Sequence, residues 1–485
     1  MATRPLLRVA RTTQRVRLRY LSCHTAQIAI PHIRTQTFPK FYSTSTNNDD
    51  PSSKTRTIPP PPKRTPLRTA LTITSVVVGI AAWIYVFTGD SSKPVERSTD
   101  NADTLSEAEK EKVLTQHERV VRISSGSDVQ GTAKWKILAS HFHVNAVASN
   151  DPIEDYHAES RHENGLILGI FDGHSGTECS ALISQYLPHY IGASLSKLPK
   201  SLTDRTRQKA VASALKDAFL KLDADIINGG FDSSSPASSV DAQIASALRP
   251  AVAGSCAIVA YLEGSDLYVA CTGDSRAVLG KRRGDGSFEA IPLSADHTIK
   301  NPVEHARMLE EHPGEAVFAR GRVLGGLMPT RAFGDARYKW PAEIQNTLLS
   351  LLTRRSTPRN YQTPPYITAE PEVSHYTVNP STDRFLILGS DGLYDELTSE
   401  ECVDLLGKFM ENQKLVPASS ADWASSKGLE KWSYRDGNAA THLIRNALGK
   451  GDEGKIRKLL ALKPPQSRKA RDDMTVNVLF FGEER

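Results

Sequence analysis

Four short stretches put carboxylates where a chain leaves an apolar run or turns sharply: "DPIEDYH", "GIFDGH", "LGSDGLYDE" and "KARDDMTV". Any one aspartate of this kind has an ordinary explanation as a turn residue or a cap. Together they suggest more, because a carboxylate at the end of a strand is carried by a rigid element, and several such ends can point into one cleft. Oxygen donors with no accompanying His or Cys cluster select Mg²⁺ or Mn²⁺ over zinc. A pair of such ions activates a bridging water and neutralises charge on a phosphoryl group under in-line attack. Asp172-Gly173-His174 adds two further parts. Gly173 lets backbone approach an ion closely, and His174, beside an acid, is placed to protonate a leaving alkoxide.

The elements that would carry these residues are readable in outline. "GLILGIF", "SCAIVAYLEGSDLYVACTGDSRAVLG", "DRFLILGSDG" and "MTVNVLFFG" are short and rich in β-branched residues, and the second is expected to turn back at Glu263-Gly264-Ser265-Asp266. Helical spacing places Val211, Leu215, Phe219, Leu222 and Ile226 on one face, and Glu401–Met410 and Ala439–Leu448 follow the same period. Strands and helices do not alternate strictly. A layered α+β domain with packed sheets is therefore expected, not a parallel doubly wound sheet. "NGGFDSSSPASSVDAQ" and "ENQKLVPASSADWASSKG" are expected to be surface insertions.

The region before this domain has a different composition. Residues 1–48 carry Arg4, Arg8, Arg11, Arg15, Arg17, Arg19 and Arg34 and no acid, as a mitochondrial targeting segment does. A Pro-rich basic linker is expected over 49–68 and a membrane-spanning helix over 69–88, where Thr69–Phe87 contains no charged residue. Lys63, Arg64 and Arg68 precede the span and Asp90 follows it. That asymmetry would leave the C-terminal domain on the far side of the membrane, the intermembrane space if the membrane is the mitochondrial inner one. A second linker is expected over 89–119, and the catalytic domain over 120–485.

The formal charge of +5 comes largely from the N-terminal arm, so the remainder is near neutral and no nucleic-acid partner is indicated. Cys23, Cys179, Cys256, Cys271 and Cys402 form no C-x-x-C pair and read as small apolar residues. "GKGDEGKI" lacks the hydroxyl residue and preceding strand of a phosphate-cradling loop and reads as a surface loop. "LDADI" falls inside a helical pattern, where core and solvated faces account for it.

The ordered series "PIEDYH", "GIFDGHSG", "SCAIVAYLEGSDLYVACTGDSRAV", "LSADHT", "RAFGD", "FLILGSDGLYDELTSEE" and "RDDMTV" resembles the metal-dependent serine/threonine protein phosphatases, the PPM or type-2C family, from about Val120 to Phe481. The resemblance implies a four-layer α/β/β/α sandwich, with two Mg²⁺ or Mn²⁺ ions and a bridging water between two mainly antiparallel sheets. Carried over, Asp172 would bridge both ions and Gly173 would offer its carbonyl. Glu154, Asp391 and Asp472 would complete the shell, and Asp155 would orient the attacking water. Asp274 and Asp395 could hold a third ion. Many members place a phosphate-gripping arginine where this chain has Asn150, and an amide is the weaker anion ligand. "EHARMLEEHPGEA" and "GRVLGGLMPTRAFGDARYKW" resemble the pyruvate dehydrogenase phosphatases, a mitochondrial subgroup. That likeness implies a phosphoserine protein substrate in the pyruvate dehydrogenase complex.

Overall fold

A computed structural model describes residues 106–482 except 124–125, 128–133, 136–137, 164, 230–246, 353–356 and 413–431. The targeting segment, the expected membrane span and most of both polar insertions lie outside the described residues. Among the described residues, no helix is long and apolar enough to cross a membrane.

The principal elements in chain order begin with α1 (Glu107–Thr115), β1 (Arg119–Arg122), β2 (Ala139–Val147), β3 (Tyr156–His162), β4 (Gly165–Phe171), α2 (Glu178–Leu195) and α3 (Asp204–Gly229). The middle of the domain holds β5 (Ala257–Glu263), β6 (Asp266–Thr272), β7 (Arg276–Arg282), β8 (Phe288–Pro292) and α4 (Pro302–Glu311). The chain finishes with β9 (Glu372–Thr377), β10 (Asp383–Gly389), α5 (Ser399–Asn412), α6 (Ala439–Gly449), α7 (Glu453–Ala461) and β11 (Met474–Phe481). The two large sheets are a six-stranded one in the order β1-β2-β11-β10-β7-β8 and a five-stranded one in the order β9-β6-β5-β4-β3. Every pairing within them is antiparallel.

The layers follow from which face of each strand is apolar, since alternate side chains point to opposite faces. In β4, Leu166, Leu168 and Ile170 enter the cluster between the sheets, while Ile167 and Phe171 join the cluster under α2 and α3. In β11, Leu479 and Phe481 point between the sheets, while Val476, Val478 and Phe480 meet α5, α6 and α7. Strands apolar on both faces lose nothing by having a layer on each side, and the α/β/β/α sandwich is the arrangement that covers them all. Val211, Leu215, Phe219, Leu222 and Ile226 all lie in the cluster beneath α3, as their spacing predicts.

The Glu263–Asp266 hairpin forms with Gly264 at φ +59°. The run after it does not stay with its neighbours, because β7 crosses into the other sheet beside β10. That crossing places Asp274, between β6 and β7, where the two sheets meet. The compact domain also starts earlier than expected. Within the 89–119 stretch read as linker, α1 is closed at its start by a reciprocal Ser106–Glu109 capping box, and Leu114 is completely buried among the residues of α5 to α7. "GKGDEGKI" is a turn between α6 and α7, with Lys450 in a left-handed conformation and Ile456 buried, and so is not simply a surface loop. Cys179, Cys256, Cys271 and Cys402 are free and buried.

Met308, Val317, Val323, Leu327, Tyr338 and Tyr366 form a separate apolar cluster of their own. Its anchor is Glu304 of α4. Burial alone would raise this carboxyl, but hydrogen bonds from Arg331, Arg307 and Thr330 hold it far below the usual carboxylate range.

Candidate active site

The sheets place the acidic turns at one end of the sandwich. Asp172 follows the last residue of β4, and its backbone carbonyl accepts a hydrogen bond from the Cys256 amide at 2.8 Å. Asp391 follows β10 and opens a single helical turn, and its amide donates to Asp172 Oδ2 at 3.3 Å. Asp472 stands just before β11. Asp274 accepts from the Cys256 thiol at 3.2 Å, and Asp395, exposed, ends the helical turn that Asp391 begins.

Glu154 and Asp155 sit on the loop before β3, and a residue not singled out in the sequence shapes that loop. Asp473 is buried, and its carboxylate accepts from the amides of Ser149 at 2.5 Å, Asn150 at 3.0 Å and Glu154 at 2.7 Å, and from the Ser149 hydroxyl at 2.9 Å. It folds the loop around itself and presents Glu154. Glu154 Oε1 then accepts from the Gly176 amide at 2.7 Å and Oε2 from the Asn150 side chain at 3.1 Å. Asn150 therefore spends its amide on Glu154 and on Asp473, at 3.3 Å, not on the open cleft. The second aspartate of "RDD" was the available signal for Asp473, since an aspartate at a turn readily takes backbone amides.

Burial and mutual repulsion act together on these groups. Burial is the largest influence on Asp172, and Asp391, Asp155, Asp274 and Asp472 each push its pKa further up. Asp391 is raised to about 7 by burial and by Asp274 and Asp472. Burial also raises Asp155, with Asp473 adding to it, and raises Glu154, Asp274 and Asp472. Asp155, Asp172, Asp274, Asp391 and Asp472 thus feel one another, although they come from five separate segments of chain.

Among the described residues, no three His, Cys, Asp or Glu side chains stand close enough to clasp an ion as they are. The fit to hard cations rests on other features. The converging donors are all oxygens, which suits Mg²⁺ or Mn²⁺. Asp155 Oδ2 is buried without a hydrogen-bond partner. Gly173 is packed so closely that a Cβ there would lie 2.2 Å from the Glu154 carbonyl and 2.5 Å from Ser180 Oγ, so only glycine fits between the loop and α2. Arg468, partly exposed, pairs with Asp472 at 2.5 Å, and its charge pulls against the rise at both Asp472 and Glu154.

These shifts predict how stability responds to pH and cations. A carboxyl whose pKa is raised on folding holds its proton more tightly in the folded state. The stability it lends is complete below its unfolded value near 4 and is lost as pH rises through its folded value, about 7 for Asp391. The metal-free protein is expected to lose stability across that window, and Mn²⁺ to raise the melting midpoint more at about pH 7.5 than at about pH 5.5. Thermal scans with EDTA or Mn²⁺ check this, and an increment independent of pH would contradict it.

His174 completes the group. Its Nε2 lies 2.5 Å from Asp335 Oδ2, with side-chain exposures of 24% and 6%. Burial alone would lower the imidazole pKa, but Asp335 more than offsets this and the value is raised.

The layered sheets and the acidic cleft between them define a chain of the protein phosphatase 2C family, and it belongs to that family: residues 126–455 match the family model described as "Protein phosphatase 2C". It is a protein serine/threonine phosphatase by this membership. A protein phosphatase 2C homolog of Schizosaccharomyces pombe is 44% identical over 366 residues, covering 71% of this chain and 80% of the relative. The mitochondrial [pyruvate dehydrogenase [acetyl-transferring]]-phosphatase 1 of Saccharomyces cerevisiae is 35% identical over 396 residues, covering 70% of this chain and 68% of its own length. The human protein of the same name is 33% identical over 428 residues, covering 70% and 77%.

Proposed function

We propose that this chain is a mitochondrial phosphatase that removes phosphate from phosphoserine and phosphothreonine in proteins, using a cation-assisted water and no covalent intermediate. The observation that carries the reading is the set Asp172, Asp391 and Asp472, whose burial and mutual repulsion call for positive charge, together with Glu154, raised by burial and by Asp473. Those four with the Gly173 carbonyl would hold two Mg²⁺ or Mn²⁺ ions, and Asp274 and Asp395 would hold a third. When bound, the ions supply a low-pKa water and charge neutralisation at phosphorus.

The chain's own residues do the rest. Asp155, buried with a free carboxylate oxygen, orients the attacking water and takes its proton. As the water oxygen bonds to phosphorus, the bond to the serine oxygen breaks, and His174 gives that oxygen its proton. Arg468 provides the positive charge for the substrate phosphate that Asn150 does not.

The names of the relatives make pyruvate dehydrogenase the first substrate to test, and the 304–340 segment resembles theirs. The basic arm supports import, and Thr69–Phe87 would tether the domain to the inner membrane. Purified full-length protein should release phosphate from a phosphoserine peptide of that substrate only with Mg²⁺ or Mn²⁺. Protease treatment of intact mitochondria and of mitoplasts then locates the domain. Digestion upon opening the outer membrane alone would exclude a matrix substrate, and metal-independent hydrolysis would overturn the mechanism.

A further inference from the structure

His174 is held by a short ribbon that begins at Gly173 and continues into segments the other metal-site residues do not use. Gly173–His174 pairs antiparallel with Gly254–Ser255, and Gly254–Ser255 pairs in turn with Phe333–Gly334, making a three-stranded ribbon. Asp335 comes directly after that ribbon in the left-handed conformation, at φ +51°, and its amide donates to the Ala253 carbonyl at 2.9 Å. A non-glycine residue held at positive φ is uncommon and needs surrounding structure to enforce it. That structure is present here. The Gly334 amide donates to Asp223 Oδ1 at 2.9 Å, Lys339 Nζ grips both oxygens of Asp223 at 2.8 and 2.7 Å, and Phe333 packs on Phe219 with ring centres 5.3 Å apart. Asp223 belongs to the "LDADI" stretch, so that segment, ordinary by its helical pattern, is the footing of the ribbon.

Gly254 shows how closely the pair is fitted. A Cβ at this position would lie 2.1 Å from His174 Nε2 and 2.2 Å from Asp335 Oδ2. The absent side chain is the space in which the imidazole and carboxylate meet.

We propose that Asp335 is a positioning residue for the reaction: seated by the ribbon and admitted by Gly254, it accepts the hydrogen bond from Nε2–H of His174 and aims the other ring nitrogen, Nδ1, at the leaving oxygen. A carboxylate that orients a proton-transfer group in this way fixes both its tautomer and its direction. In the step, the Nδ1–H proton passes to the serine or threonine oxygen as the phosphorus–oxygen bond breaks, and the neutral imidazole keeps its Nε2–H on Asp335. The inference rests on the general-acid reading of His174 given above.

The test compares full-length protein and its variants, with Mn²⁺, on a phosphoserine peptide and on p-nitrophenyl phosphate, whose leaving group departs without a proton. Asp335→Asn should lower kcat on the peptide by roughly 10- to 100-fold, while aryl phosphate turnover falls only a few-fold and the Mn²⁺ activation constant holds. Gly254→Ala should reproduce the selective loss with both partners present, because the added methyl meets the movable ends of two side chains and parts them. It also serves if Asp335→Asn folds poorly. Equal slowing of both substrates, or no slowing of the peptide, would overturn the proposal. A selective loss in His174→Gln that neither other variant shares would overturn it while sparing the general acid. No selective loss in His174→Gln would remove the general acid itself.

Discussion

Asp172→Asn should reduce Mn²⁺-dependent turnover of a phosphoserine peptide by at least about 10³-fold, the equivalent of roughly 4 kcal/mol of transition-state stabilisation. The substitution keeps shape and removes one negative charge. The fold should survive, because the Cys256 amide bonds to the Asp172 backbone carbonyl and not to its side chain. Without the cation, the variant should even be more stable than the parent, since Asp391, Asp155, Asp274 and Asp472 all repel a charge at this position. The expected signature is therefore opposed: a higher melting midpoint in EDTA, a smaller gain on adding Mn²⁺, and lost turnover. Calorimetric Mn²⁺ titration and peptide assays would measure it. A variant that keeps turnover within tenfold of the parent would show that Asp172 does not hold the ions.

His174→Gln should act on a different quantity. Removing a general acid forfeits about 10²–10⁴-fold, but only where the leaving group needs a proton. A serine alkoxide needs one and a nitrophenolate does not. Peptide hydrolysis should fall by that factor, aryl phosphate hydrolysis by less than about tenfold, and Mn²⁺ affinity should be retained, because no ion ligand is lost. Gln keeps a polar end that can still meet Asp335, so any loss reflects proton supply more than collapse of the ribbon. Equal loss on both substrates would take His174 out of the chemistry and leave it a structural residue.

What is legible in the sequence is what local chemistry enforces. β4, β10 and β11 declare themselves because their apolar runs cover both faces, and the acids that follow or precede them are visible as interruptions. β2 and β3 were not singled out, because His141, His143, His157 and His162 break their apolar pattern while the backbone still pairs. The helix at 107–115 was missed for a related reason: it offers the core little beyond Val113 and Leu114, and its signal was the Ser106–Glu109 cap rather than an apolar face. Asn150 stands where many family members carry a phosphate-gripping arginine, and nothing in the sequence shows that its amide is committed to Glu154 and Asp473.

By itself the sequence determined the kind of chemistry, since carboxylates at strand ends, a glycine and an imidazole limit which cations and which reactions are possible. Only the tertiary structure decided which acids share a charge environment, that Asp473 shapes the loop bearing Glu154, and that Asp335 meets His174 from 161 residues away. The reason is physical. Residue type sets what a group can donate, accept or ionise, but repulsion, burial and hydrogen-bond geometry depend on distances between segments that nothing along the chain records.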